Sequence, residues 1–240
     1  MTIDVVGTEL RQIALAATDA TGYFAALYSQ VTTRIGEAIK NGTFHDPTEM
    51  DAFACSFASF FTGALNQSSP RPKCWQAAWN VASDGSLLIV QQLLLAINAH
   101  VNHDLPFAVV AAADQRGDVE SIRPDFDAVN DVLAATYVDV QRELGTVSRW
   151  TSTAASLGGG RVFNFSLVVA RRQAWDAALR IYPLGPADRQ QYEKDLDQLV
   201  CVLAYLITKP PLAARPALWL ARKLEEHDPK KVTAALLGDS

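Results

Sequence analysis

The 240-residue sequence has little cysteine, little histidine and no run of one charge, and each shortage excludes something. The three cysteines, Cys55, Cys74 and Cys201, stand far apart with no Cys-x-x-Cys spacing. Neither a zinc ribbon nor a disulfide framework is supported, and a reducing interior suits them. Lysine and arginine number 21 against 26 acidic residues, so the formal net charge is -5. That lacks the basic excess that phosphate backbones select, and no nucleic acid partner is expected. The most apolar window, Leu87 to Ile97, is interrupted by Gln91 and Gln92 and falls short of the roughly 20 residues a bilayer crossing needs, so no membrane is expected. The start Met-Thr-Ile-Asp-Val-Val lacks the basic segment and apolar run of a secretory signal, which makes the cytoplasm the expected location.

Several motifs are missing as well. There is no Glu-x-x-His pair for a carboxylate-bridged di-iron bundle, no His-Glu-x-x-His, no Gly-x-Ser-x-Gly elbow and no phosphate loop ending in Gly-Lys-Ser/Thr. The 4 histidines are too few for the helical hydrolases that hold three zinc ions.

What is present is a helical pattern carried by a 49% hydrophobic composition. Tyr23, Phe24, Leu27, Tyr28, Val31, Ile35 and Ile39 recur at three- and four-residue intervals, and Asn41-Gly42 ends that helix. Asp46-Pro47 has the form of an N-cap with proline at the first helical position, opening an aromatic-rich helix through Phe53, Phe57, Phe60, Phe61 and Leu65. A short helix from Cys74 to Ala82 places Trp75 and Trp79 four residues apart. From Ser86 to about His103 the sequence is apolar around nearly the whole circumference of a helix, which belongs at the centre of a bundle. Pro106 opens a further helix through Ala113, Arg116-Gly117-Asp118 makes a loop, and another helix runs from about Arg123 to Leu144. Ser148 to Arg161 is the least regular part and reads as a loop. Helices are expected again over Phe163 to Ile181, Asp188 to Thr208, Leu212 to Glu226 and Pro229 to Leu237. Val162 to Val169 also has strand-like composition, but it leads into Arg171 without a break and is read as helix. The expectation is an all-α fold, a single-domain multi-helix bundle of residues 1–240 around a central apolar helix.

The chemistry concentrates in Asn98-Ala99-His100-Val101-Asn102-His103-Asp104-Leu105-Pro106, at the end of the most apolar helix. At 3.6 residues per turn, His100 and Asp104 lie one above the other with His103 to one side. A buried polar cluster must be hydrogen-bonded, hydrated or bound to something, since each unpaired group costs on the order of 1 to 3 kcal/mol. A divalent metal meets that demand, with zinc favoured over iron or manganese, and His100 and Asp104 as two ligands. His103, Asp125 or His45 with Asp46 are open choices for the third. The bland alternative makes Asp104 a cap for the next helix and His100 a donor to a core carbonyl. Asp46 reads equally as an N-cap, Asp125 as a charge favoured at a helix N-terminus, and His227 as part of a polar hinge. Arg171 and Arg172, followed by Trp175, either clamp an anionic ligand or shield the core.

The set Phe44-His45-Asp46, Asn98-Ala99-His100-Val101-Asn102 with Asp104-Leu105-Pro106, Asp125-Phe126, and Arg171 with Trp175 resembles an all-helical bacterial family without an assigned reaction. The likeness spans roughly residues 20 to 205. It implies a helical fold and marks His100 and Asp104, while the position of His103 looks variable within the motif. The resulting expectation is a metal-dependent enzyme of hydrolase or lyase type. One divalent ion would activate water or polarise a carbonyl on a small organic substrate, with Arg171 orienting its anionic group. The alternative is a non-catalytic ligand-binding or scaffold protein with a closed His/Asn/Asp network.

Overall fold

The computed structural model describes residues 1–66, 71–150 and 159–239, the stretch 159–165 as backbone only. Among the described residues every regular element is a helix, and the β contribution is one isolated bridge between Ser148 and Glu225. The all-α expectation is met. The elements are α1 (Ile3–Ala16), α2 (Thr21–Lys40), α3 (Pro47–Asn66), α4 (Lys73–Asn80), α5 (Ile89–Ile97), α6 (Leu105–Arg116), α7 (Arg123–Val147), α8 (Gly159–Ile181), α9 (Pro186–Thr208), α10 (Arg215–Arg222) and α11 (Pro229–Leu236).

Helix α1 was not expected, although Ile3, Val6, Leu10 and Ala14 have helical spacing and all are buried. It packs antiparallel on α2: Gly36 near the end of α2 faces Ile3 and Asp4, while Gly22 near its start faces Ala14 and Ala17. Ser29 seals the pair by donating to the Gly7 carbonyl at 3.0 Å.

Helix boundaries follow local chemistry. Asn41 ends α2, and Gly42 at φ 71 then takes the left-handed conformation that side chains resist. Asp46 accepts from the Glu49 N–H at 3.1 Å and so caps α3, while Asp228 caps α11 by accepting from the Lys230 N–H at 2.9 Å. The helix expected over Leu212 to Glu226 is shorter, a 3₁₀ turn at Leu212–Ala214 and then α10. Of the expected irregular stretch Ser148 to Arg161, positions 151–158 lie outside the described residues, and the backbone from Gly159 onward is already helical. The strand-like run from Val162 is part of α8.

The central apolar helix is longer than expected. Instead of stopping before Pro106, α5 continues through a π-helical segment, Asn98–Asp104, into α6, forming one 28-residue rod from Ile89 to Arg116. In a regular α-helix the ring of Pro106 would press on the carbonyl of Asn102, four residues back, and the wider π-turns immediately before it relieve that clash. By length and composition the rod would suffice to cross a bilayer, but 72% of its most apolar window is buried inside the protein, as befits a core helix. The bent pair α9 and α10, which meet at 42°, passes the same length-and-composition test and carries exposed Leu199, Val202, Leu206 and Trp219.

The π segment is the hub of the structure, touching α3, α4, α6, α8 and α9 as well as α5. Two groups of buried apolar side chains meet around it. One is built on Phe24, Phe61, Trp75, Leu93 and Leu95, the other on Phe53, Leu105, Val109, Phe126 and Trp175.

The closest helix approach tests this packing. A Cβ on Gly22 would sit 2.9 Å from Ala17 Cβ and 3.1 Å from the Ala14 carbonyl oxygen, so Gly22→Ala forces α1 and α2 apart. We expect a loss of about 1–3 kcal/mol in chemical denaturation, and a neutral result would contradict this helix contact.

Candidate functional site

The site forms where the rod widens. π-turns occur mostly as local insertions in α-helices, frequently at functional positions. Here they bring His100, His103 and Asp104 together in the interior, at 3%, 2% and 1% exposure. Asp104 is the centre. Its Oδ2 lies 3.0 Å from His100 Nδ1 and accepts from Trp75 Nε1 at 2.9 Å, while its Oδ1 lies 2.8 Å from His103 Nδ1. Asp104 therefore does not cap α6, and its side chain makes no cap hydrogen bond. An ionised carboxylate can only accept, which assigns a proton to Nδ1 of both imidazoles and leaves Nε2 as the nitrogen of each ring that Asp104 does not engage. Both Nε2 atoms are buried without a hydrogen-bond partner.

The surroundings drive these three groups in different directions. Complete burial pushes the His100 pKa below its ordinary value, and the Asp104 carboxylate offsets only part of that. For His103, burial opposes the charge, but Asp104, together with Asp197 and Glu193, outweighs it and holds the pKa above the ordinary value. Burial raises Asp104, yet the hydrogen bonds and charges of the two histidines prevail and keep it ionised. His100 is thus neutral with a free Nε2, the form that accepts a proton. Its ring stacks on Phe57 at 3.8 Å and meets the edge of Tyr28 at 4.7 Å, which fixes its plane.

His100 lies in the wall of a cavity of about 330 Å³. Its lining is overwhelmingly apolar, with Phe24, Leu27, Phe53, Leu93 and Leu133 among its members. Arg171 is in the same wall, 5% exposed. It donates through Nε to Asn130 Oδ1 at 2.8 Å and through an Nη to the Phe126 carbonyl at 2.6 Å, and it lies over the Phe126 ring. No carboxylate forms an ion pair with it among the described residues, and burial pulls its pKa down to about 10. Arg172, the next residue of α8, is exposed, and Trp175 is a core residue with Arg123 over its ring. Of the two expected roles for this stretch, Arg171 alone faces a space where a ligand fits.

Of the expected metal ligands, Asp104 lies against His100 and His103, whereas Asp125 and His45 do not join them. Asp125 spends both carboxylate oxygens on the start of α3, accepting from the His45 N–H at 2.6 Å and the Asp46 N–H at 2.9 Å. His45 itself is exposed, and Asp46 caps α3 while pairing with Arg116 at 3.0 Å. His227 is exposed at the turn before α11. Of the ligand set expected around His100 and Asp104, His103 meets Asp104, Asp125 is held at the start of α3 and His45 is exposed, while Asp104 Oδ2 is shared by His100 and an indole. Among the described residues, the grouping with metal-ligating spacing is Cys74, His103 and Asp197, whose ligand atoms lie within 4.8 Å of one another.

Sequence reasoning missed Trp75, Cys74 and Asp197 as members of this neighbourhood. They come from α4 and α9, far from the motif in sequence, and only their packing on the rod unites them. The one local sign was the Trp75–Trp79 spacing, since a buried indole N–H needs an acceptor.

An all-α protein with a buried imidazole–carboxylate–imidazole centre beside an apolar cavity is the class that fold and site define. The chain belongs to a family of unknown function (DUF5995), whose model matches residues 3–210. No curated protein and no solved structure matches it.

Two measurements check the site. Asp125→Ala leaves two backbone donors unpaired and should cost about 1–3 kcal/mol without affecting the His100 environment. The lowered pKa of His100 means that below about pH 6.5 the unfolded chain takes up a proton that the folded one resists, so its contribution to stability is complete above that value and declines as pH falls. His103, with its raised pKa, works in the opposite sense, its contribution being lost as pH rises. Urea unfolding of wild type and His100→Gln at about pH 7 and 5.5 should show a smaller acid-side loss in the variant.

Proposed function

We propose that this chain is an enzyme acting by general acid–base catalysis on a small organic anion with an apolar body. His100 exchanges the proton, and Asp104 holds its tautomer and orientation. The observation that carries this reading is the apolar cavity whose wall contains a neutral, carboxylate-oriented imidazole with an unpartnered Nε2. A cavity of about 330 Å³ lined by apolar groups with a few polar ones suits a ligand of modest size. The arrangement Asp104···H–Nδ1–His100–Nε2 is the base-and-orienter pair of acyl-transfer and proton-transfer enzymes, in which the carboxylate fixes which nitrogen is free. Arg171 supplies the anion preference, because a buried guanidinium without a carboxylate gains most from a ligand that brings one.

The hydrolase or lyase expectation remains within this reading, with proton transfer at His100 in place of an ion held by His100 and Asp104. The reason is geometric: the carboxylate already accepts from three N–H donors, two of them on the imidazoles it orients.

The test begins with ligand. A series of straight-chain and aromatic carboxylates should raise the melting temperature of the wild-type protein, the added stability reaching about 2.7 kcal/mol at a concentration 100 times Kd. Arg171→Met should lose the effect for carboxylates while retaining it for the matching uncharged amides. His100→Gln should bind the best ligand as well as wild type but turn over the corresponding ester or hydroxy acid about 10² to 10⁴ times more slowly. Equal carboxylate binding by Arg171→Met, or undiminished turnover by His100→Gln, would overturn the assignment.

A further inference from the structure

On the opposite side of Asp104 from His100 stands a second cluster that the proposed chemistry does not use. Cys74 in the first turn of α4, His103 in the π segment and Asp197 in α9 are 1%, 2% and 9% exposed, and their ligand atoms lie within 4.8 Å of one another. Ligand atoms at about 2.0–2.3 Å from a tetrahedral zinc ion are about 3.3–3.8 Å apart, so the three side chains need to draw in by up to about 1 Å to close a shell. We propose that Cys74, His103 and Asp197 bind a divalent transition metal of the zinc type, with one coordination position left for water or another donor.

Three independent features support it. His103 Nε2 is buried without a partner, whereas buried ring nitrogens normally have one. Its Nδ1 is held by Asp104 Oδ1 at 2.8 Å, the carboxylate–histidine arrangement that orients metal-binding imidazoles. Asp197 is fixed in turn, accepting from the Lys73 and Cys74 backbone N–H groups at 2.9 Å each, with lone pairs left for an ion. Thiolate, imidazole and carboxylate together suit zinc or cobalt better than magnesium or calcium.

Binding is a proton exchange without redox change. The Cys74 S–H proton, and any proton on His103 Nε2, leave to solvent as the sulfur and nitrogen lone pairs bond to the ion. Without metal the thiol is firmly protonated, through burial and then the charges of Asp197 and Asp104, with Cys201 adding a little. Around His103 the facing acids are Asp104, Asp197 and Glu193. Affinity therefore rises with pH.

The experiment is a cobalt and zinc titration of the full chain, purified without an affinity tag and stripped with chelator. One equivalent of cobalt should give the near-ultraviolet absorption of a cobalt–thiolate bond, zinc should abolish it, and zinc should raise the melting temperature. Cys74→Ser should remove the absorption and Cys201→Ser should preserve it. Asp104→Asn should weaken cobalt binding about 10- to 100-fold. No thiolate absorption and no zinc-dependent melting shift in wild type would overturn the site, as would absorption that follows Cys201 or Cys55. The wild-type titration decides even where Cys74→Ser folds poorly. The carboxylate binding and turnover that test His100 are read separately, on protein without added metal.

Discussion

The structure depends on keeping one carboxylate charged in the interior. Asp104 is almost completely shielded from water, a location that would neutralise an isolated carboxyl group, yet three N–H donors from two imidazoles and an indole hold it ionised. In return it defines its neighbours. It fixes the tautomers of His100 and His103, orients their rings in different directions, and anchors Trp75 of α4 to the central rod. A buried carboxylate is worth its desolvation only when its own partners are in place, so the site and the packing of α4 on the rod are a single constraint.

That constraint explains why the rod widens where it does. The residues from Asn98 to Asp104 must pack against α3, α4, α8 and α9 while presenting polar side chains to more than one of them. The π-turns redistribute those side chains around the axis, and they also let the chain pass Pro106 without a break. Asn98 and Asn102 complete the seam: Asn98 donates to the Val200 carbonyl of α9 at 3.0 Å and accepts from Asn102 at 2.9 Å. The polar residues of the motif thus divide their work between fastening helices and leaving two ring nitrogens unspent.

Asymmetry across Asp104 gives the two nitrogens different prospects. His100 faces aromatic rings and an apolar cavity, so burial dominates and it stays neutral. His103 faces acids and a thiol, so it favours positive charge, whether a proton or a metal. One carboxylate serving both couples the two environments, since a change of charge at His103 alters the field that His100 feels through a shared partner.

Local rules were enough to read much of this protein. Helical spacing from Tyr23 to Ile39, the Asp46-Pro47 cap, the Arg116-Gly117-Asp118 loop and the proline-marked starts of α9 and α11 all depend on contacts within a few residues, and those are written in order along the chain. The cluster in Asn98 to Pro106 stood out for the same reason, as polar groups at the end of an apolar helix. The continuous rod did not, because Pro106 normally signals a helix start, and only surrounding helices can hold a chain in π-turns through it. Nor did the partners of the site. Asp125 and His45 looked equal to any other candidate until the fold set Asp125 against the backbone of α3. Cys74, Trp75 and Asp197 came to Asp104 and His103 from distant helices. The sequence by itself determined which segments are helical and which short stretch carries chemistry, since both follow from neighbours in the chain. Tertiary structure alone decided what each polar side chain faces, because that depends on burial and on groups that meet only when the helices pack.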